Sequence, residues 1–338
     1  MRSLALLSSL FCLLTSVFCL LSTVFCLLTS ASYFEHFPPC IYWTQGVATR
    51  ATLEAAGIDH VCVPPEQVEA WRAAGVSATA MSDADLASRE ALPVPGVSAR
   101  AGLASPTRAP WIVANGWRFI RRPDAKYVYD LPSGKAPLAA AEAYAYGADA
   151  VLKIDPSDVE GLGPIVRLLH DLQAVDLPDV ADLAVVDDGS PITGEVMNLL
   201  ARRNLLFEVV KAPSKEHRIN IAVGSREYPV QEAADPSAFA LKIRRQLTDE
   251  QRSLRVYGSE VVICRLTGNA RQLRLHAINY GGRDIDGMRV RLRGAWRATD
   301  AAVAGAGRVA LADQVVTDGA TEFSLPRLTT YAVIDLTK

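Results

Sequence analysis

The sequence predicts an α/β region followed by an all-β region, and three observations carry that reading. From Pro38 to about Val223, short apolar runs alternate with helix-like stretches that often end in glycine. From Leu254 onward the apolar period shortens to two. Between them, Pro236–Gln246 reads as one further helix. Alternating strand and helix patterns build parallel sheets, whereas period-two runs separated by turns build antiparallel ones.

Ahead of the first strand, Leu6–Tyr33 holds four near-copies of seven residues, LLSSLFC, LLTSVFC, LLSTVFC and LLTSASY. A coiled coil needs charged flanks, but after Arg2 the first charge is Glu35. Cys12, Cys19 and Cys26 fall seven apart, a spacing that does not bring three thiolates round one ion. Residues 1–32 therefore read as an export signal, or, left uncut, as a membrane anchor over residues 4–28. Either reading places the chain in the periplasm or outside the cell. No other membrane contact is expected. Beyond the repeat remain Cys40, Cys62 and Cys264, enough for one disulfide at most.

The strand candidates, in order, are Cys40–Trp43, His60–Val63, Val76–Ala80, Trp111–Ala114, Val151–Ile154, Leu183–Val186, Leu206–Val210 and Ile219–Val223. Helix candidates lie between them. Thr49–Ala56, Pro65–Ala74 and Leu138–Tyr146 stop at Gly57, Gly75 and Gly147, residues suited to a helix C-terminus. Asp158–Leu172 begins with Asp, and Pro191–Arg203 begins with Pro. Leu92–Pro110, rich in Pro, Ser and Gly, reads as a loop. In the last region, MRVRLRG puts Met288, Val290 and Leu292 on one face and Arg289, Arg291 and Arg293 on a solvated one. Gly281-Gly282, Asp286-Gly287 and Asp318-Gly319 supply turns. The result is an antiparallel sandwich.

A net charge of -2 and a pI near 6.2 argue against a nucleic-acid partner. The chain lacks a G-x-S-x-G elbow, a Walker loop, H-E-x-x-H and C-x-x-C. GAGRVA at Gly305–Ala310 has no following helix and so is no dinucleotide site. The five histidines show no metal spacing. No cofactor and no metal are expected.

Candidate site residues cluster at strand ends, where parallel α/β folds collect ligands. After the strand at Trp111, Asn115 can bond a hydroxyl, Trp117 can stack on a sugar face and Arg118 can hold a carboxylate. Trp43 lies at another strand end and is a second stacking candidate. Asp155 follows AVLKI, Asp130 lies in YVYDLP, and Glu66 follows VCVPP. Glycoside hydrolysis needs two carboxylates on either side of the scissile bond. Asp155, Asp130 and Glu66 are the candidates, although each also suits a helix cap or turn. Asp187-Asp188-Gly189-Ser190 before a helix fits the capping role.

The order of modules resembles a glycoside hydrolase of the beta-galactosidase type. The stretches LAAAEAYAYGADAVLKIDPSD, ADLAVVDDGSPITGEVMNLLARRNLLFEVV, LRLHAINYGG and EFSLPRLTTYAVIDL carry the resemblance, over about residues 110–338. It implies a (β/α) barrel, a Rossmann-like segment similar to a glutamine amidotransferase, and a C-terminal sandwich. The expected domains are therefore a reduced barrel-like region over 33–180, the Rossmann-like segment over 181–250 and the sandwich over 251–338. The stretch before Ala181 is too short for the family's complete barrel. The family's Asn-Glu pair at a strand end has no counterpart; Asn115-Gly116 is the nearest strand-end asparagine. No catalytic glutamate carries over. The amidotransferase nucleophile would lie where this chain has Asp188-Gly189-Ser190, so glutaminase activity is not implied.

Three functions follow as expectations: an exported glycosidase working through a carboxylate pair, a non-catalytic carbohydrate-binding or envelope protein, and a structural module. Carbohydrate is the expected partner. An incomplete barrel also favours a homo-oligomer.

Overall fold

A computed structural model describes residues 39–98 and 111–338. The chain divides into Met1–Phe37 and Pro38–Lys338. The N-terminal repeat lies outside the described residues, and all the described elements belong to the second unit.

The first part of this unit runs β1 (Cys40–Tyr42), α1 (Arg50–Ala55), β2 (His60–Val63), α2 (Val68–Ala73), β3 (Ser77–Ala80), α3 (Asp83–Ala87) and β4 (Glu90–Leu92). It continues through β5 (Gly96–Ser98), β6 (Trp111–Val113), α4 (Gly116–Arg121), β7 (Lys126–Asp130), α5 (Ala136–Ala145), β8 (Asp149–Lys153) and α6 (Val159–Asp171). Six strands form one parallel sheet in the order β3-β2-β1-β8-β7-β4. The first and last strands of the region thus pair at its centre, with Cys40 opposite Val151 and Tyr42 opposite Lys153.

Alternation along these strands sorts two faces. Ile41, Val61, Val63, Tyr127, Tyr129, Ala150 and Leu152 point to the helices and join the main core. Cys40, Tyr42, Cys62, Met81, Val128 and Val151 gather on the other face in a separate cluster. Helix α5 is alanine at six of its ten positions and is buried on all sides. A helix without a polar face must be covered all round; α5 lies between the parallel sheet and the sandwich, whose Ile278, Tyr280 and Tyr331 share its core.

The strands at 90–92 and 126–130 were not among the sequence candidates, because each is short and flanked by charge. Trp111–Val113 does not join the parallel sheet. It pairs antiparallel with Gly96–Ser98, inside the stretch expected to be a loop. Asn115–Arg118 follow the end of β6, as expected, and open α4. Gly116 is required there, since a Cβ would strike the Tyr146 ring.

A three-stranded parallel sheet comes next, in the order β10-β9-β11, from β9 (Leu183–Val186), β10 (Phe207–Val210) and β11 (Asn220–Ala222), with α7 (Pro191–Arg202) after β9. The Ser190 hydroxyl accepts from the Thr193 amide to cap α7. A short helix α8 (Val230–Ala233) leads to α9 (Pro236–Leu247), capped by the Asp235 side chain. Gly194 in α7 lets Trp117 and Arg121 of α4 approach closely, and a Cβ there would lie 2.7 Å from Arg121 Nη1.

The remaining strands are β12 (Leu254–Tyr257), β13 (Val262–Gly268), β14 (Gln272–Asn279), β15 (Ile285–Arg293), β16 (Asp300–Val303), β17 (Gly307–Ala310), β18 (Ala312–Thr317), β19 (Ala320–Leu328) and β20 (Tyr331–Thr337). They form two antiparallel sheets, β12-β15-β19-β18 and β13-β14-β20-β16-β17. Met288, Val290, Leu292, Phe323 and Leu325 of one meet Leu275, Ala277, Ile334 and Leu336 of the other in a common core. On the opposite side of β15, Arg289 and Arg291 both reach Glu322. The expected arginine face is therefore an ion-paired one.

Candidate functional site

The parallel sheet presents a rim at the carboxyl ends of its strands. Asp130 ends β7 and Lys153 ends β8; they are register partners, and Lys153 Nζ lies 3.0 Å from Asp130 Oδ2. Tyr42 ends β1 beside Lys153. Burial raises the Tyr42 phenol above its ordinary pKa; the nearby Asp83 and Glu66 add to the rise and Lys153 opposes it. Asp83, Glu66 and Lys153 therefore lie near Tyr42, and Asp130 joins them through Lys153.

The loops behind the rim are fixed by hydrogen bonds. Asp158, buried at the start of α6, accepts from the amides of Gly134, Lys135 and Ala136 at 2.5, 3.2 and 3.0 Å. A carboxylate at a helix N-terminus satisfies donors that have no partner within the helix. The same contact draws the loops after β7 and β8 together, with Ser133 Oγ 2.9 Å from Ser157 Oγ.

Of the residues singled out from sequence, three carboxylates sit on or near this rim. Asp130 is exposed and paired with Lys153. Asp155 is partly exposed and caps the turn after β8, accepting from the Ser157 hydroxyl at 2.6 Å and amide at 2.9 Å. Those bonds hold the Asp155 carboxyl below its ordinary pKa. Glu66 is exposed in the turn after β2.

The other four candidates are turned inward. Trp43 is buried, its indole N–H donating to Thr49 Oγ1 at 2.9 Å. Trp117 is buried in the core of the second parallel sheet, and the Arg118 guanidinium stacks 4.3 Å above it. Asn115 is fully buried. Its backbone amide donates to Glu142 Oε1 at 2.5 Å and its side-chain amide to Glu142 Oε2 at 3.1 Å.

Glu142 is not among the sequence candidates. It is the one charge in the alanine helix α5 and is fully buried. Besides Asn115 it accepts from Tyr129 at 2.6 Å and from Tyr280 of the sandwich at 2.7 Å. Burial raises its pKa despite these bonds. A lone charge inside an otherwise apolar helix was the available signal. Asp182 is likewise raised by burial and accepts from Ser253 at the start of β12. Both groups join parts of the fold.

On the face that carries Tyr42, the Cys40–Cys62 disulfide links β1 and β2, with Cα atoms 5.8 Å apart. Cys264 is free and buried. The one-pair limit set by three cysteines is met by these two neighbours.

No protein-family model and no curated protein matches the chain. Among solved structures it is similar to the alpha-L-fucosidase isoenzyme 2 from Paenibacillus thiaminolyticus, with 9% identity and a TM-score of 0.50, covering 90% of this chain and 78% of that one. It is also similar to beta-galactosidases from Bacillus circulans sp. alkalophilus and Rahnella sp. R3. Identities are 9% and 11%, TM-scores 0.38 and 0.37, and coverage 60% and 64% of this chain but only 52% and 53% of those. At such identities the likeness concerns the fold alone, and the fold is glycoside-hydrolase-like.

Proposed function

We propose that this chain is an exported carbohydrate-binding protein on a glycoside-hydrolase-like scaffold, and that the rim of the six-stranded sheet holds the sugar. The sheet is read as a reduced barrel, because its first and last strands pair as they would on closing a ring. The N-terminal repeat supports export. The observation that carries the proposal is the Asp130–Lys153 pair at adjacent carboxyl ends, with Tyr42 and Glu66 near it and Asp155 two residues beyond Lys153 along the chain. A carboxylate and an ammonium side by side match adjacent sugar hydroxyls, which both donate and accept.

Binding is favoured over hydrolysis by the state of the carboxyls. A glycosidase needs one carboxyl held protonated at its working pH. The carboxyls that burial drives that way, Glu142 and Asp182, are held by partners within the scaffold. Asp155 is held in the ionised direction by its bonds to Ser157. Hydrolysis is the second reading, favoured by three carboxylates near one rim. The similar fucosidase suggests fucosides as the first members of the test panel.

The experiment offers aryl glycosides of fucose and other sugars to the folded chain, beside Asp130→Asn, Asp155→Asn and Glu66→Gln. The proposal expects binding without release of the aryl group. Turnover abolished by one substitution would establish a hydrolase instead. N-terminal sequencing of secreted material tests export.

A further inference from the structure

We propose that Cys40, His60 and Cys62 form a thiol-gated site for a soft or borderline metal ion such as zinc. The histidines show no metal spacing along the sequence, yet folding brings one of them beside two cysteines. Strands β1 and β2 are parallel neighbours in the register Tyr42 to Cys62, which sets Cys40 opposite His60. The period of two turns all three side chains to the same face. One ligand atom from each residue lies within 4.8 Å of the others. Cys40 and His60 are half-buried and Cys62 is buried.

Two further features fit a metal. The ring nitrogens of His60 face hydroxyls, Nδ1 to Ser77 Oγ at 2.9 Å and Nε2 to Thr79 Oγ1 at 3.3 Å. When one nitrogen ligates, the other keeps a hydroxyl that fixes the ring, as outer partners of metal-bound histidines do. Ser77 and Thr79 are exposed, so an ion has a path from solvent. Two thiolates and an imidazole leave a fourth tetrahedral position open, and thiolate donors select zinc or copper(I) over hard cations.

The disulfide is the closed state. A dithiol reductant gives two electrons and two protons and closes its own disulfide; the Cys40–Cys62 S–S bond breaks and two thiols form. A divalent ion then displaces both thiol protons and accepts a lone pair from His60. The metal form therefore belongs to reducing conditions and the disulfide form to oxidising ones.

The test uses the full chain carrying Cys12→Ser, Cys19→Ser and Cys26→Ser, which removes the thiols of the repeat. It is reduced with dithiothreitol, desalted without oxygen and titrated with cobalt(II), then with zinc in competition. The expected result is a thiolate-to-cobalt charge-transfer band at one ion per chain, displaced by zinc and missing from the oxidised chain. His60→Gln should weaken binding by more than about 100-fold, beyond the usual cost of losing an outer partner. Cys40→Ser should remove the band. A folded, reduced chain with no band overturns the proposal, as does a His60→Gln chain that binds as tightly as its parent. If reduction unfolds the chain, refolding on addition of zinc supports the site, and failure to refold counts against it.

Discussion

The two faces of the six-stranded sheet contrast sharply. The outer face is covered by helices and by the sandwich, and Glu142, fully buried there, is surrounded by four donor groups. The inner face carries the disulfide, His60, Tyr42 and the Asp130–Lys153 pair, with Ser77, Thr79 and Ala91 exposed along it. A closed barrel would fill this face with packed side chains. Glu142 on the outer side is enclosed by the fold, while the Asp130–Lys153 pair on the inner side is open to solvent.

Substitutions on the two faces should therefore behave oppositely. The largest effect is expected from Glu142→Ala, which strands four buried donors and should cost about 3–5 kcal/mol of stability in urea unfolding. A variant near parental stability would break the comparison. Next comes the Cys40–Cys62 link, which closes a separation of 22 residues. Its removal in metal-free Cys40→Ser/Cys62→Ser should cost about 2–4 kcal/mol. Tyr280→Phe removes one of the four bonds to Glu142 and should cost about 1 kcal/mol, read as a shift in urea midpoint.

A pH series sharpens the same contrast. Burial raises the Glu142 carboxyl above its ordinary pKa, with its hydrogen bonds opposing. A carboxyl raised on folding contributes its full stability below the unfolded value of about 4.3 and loses it as pH rises through the folded value. Glu142→Gln should flatten this component of the urea midpoint as pH rises above about 4. An unchanged pH profile would show that Glu142 does not carry it. The smallest stability effect is expected at the rim, where Asp130→Asn should leave the midpoint unchanged because Asp130 is 83% exposed.

Much of this fold was legible. Period two marked the sandwich, and glycines marked the ends of α1, α2 and α5, because both are local consequences of side-chain direction and backbone freedom. The strands at 90–92 and 126–130 were not, since their pairing comes from distant neighbours. Site residues divided in the same way. Asp130 and Asp155 stood out as charges after apolar runs. Lys153 sits two residues before Asp155 without a signal of its own, although alternation places it on the face of Val151. Asn115 looks like a ligand because it ends a strand, but its partner Glu142 lies a helix away. Cys40, His60 and Cys62 meet only through the register of β1 and β2, which neither stretch encodes alone.

The most direct test of the sugar site is calorimetric titration of the folded chain with a panel of mono- and oligosaccharides, beside Asp130→Asn and Lys153→Met. A sugar-holding rim predicts that at least one sugar binds the parent chain and that each substitution weakens it by about tenfold or more, about 1.4 kcal/mol, with stability unchanged. A sugar that binds all three chains equally, or no sugar binding to the folded parent, would contradict it.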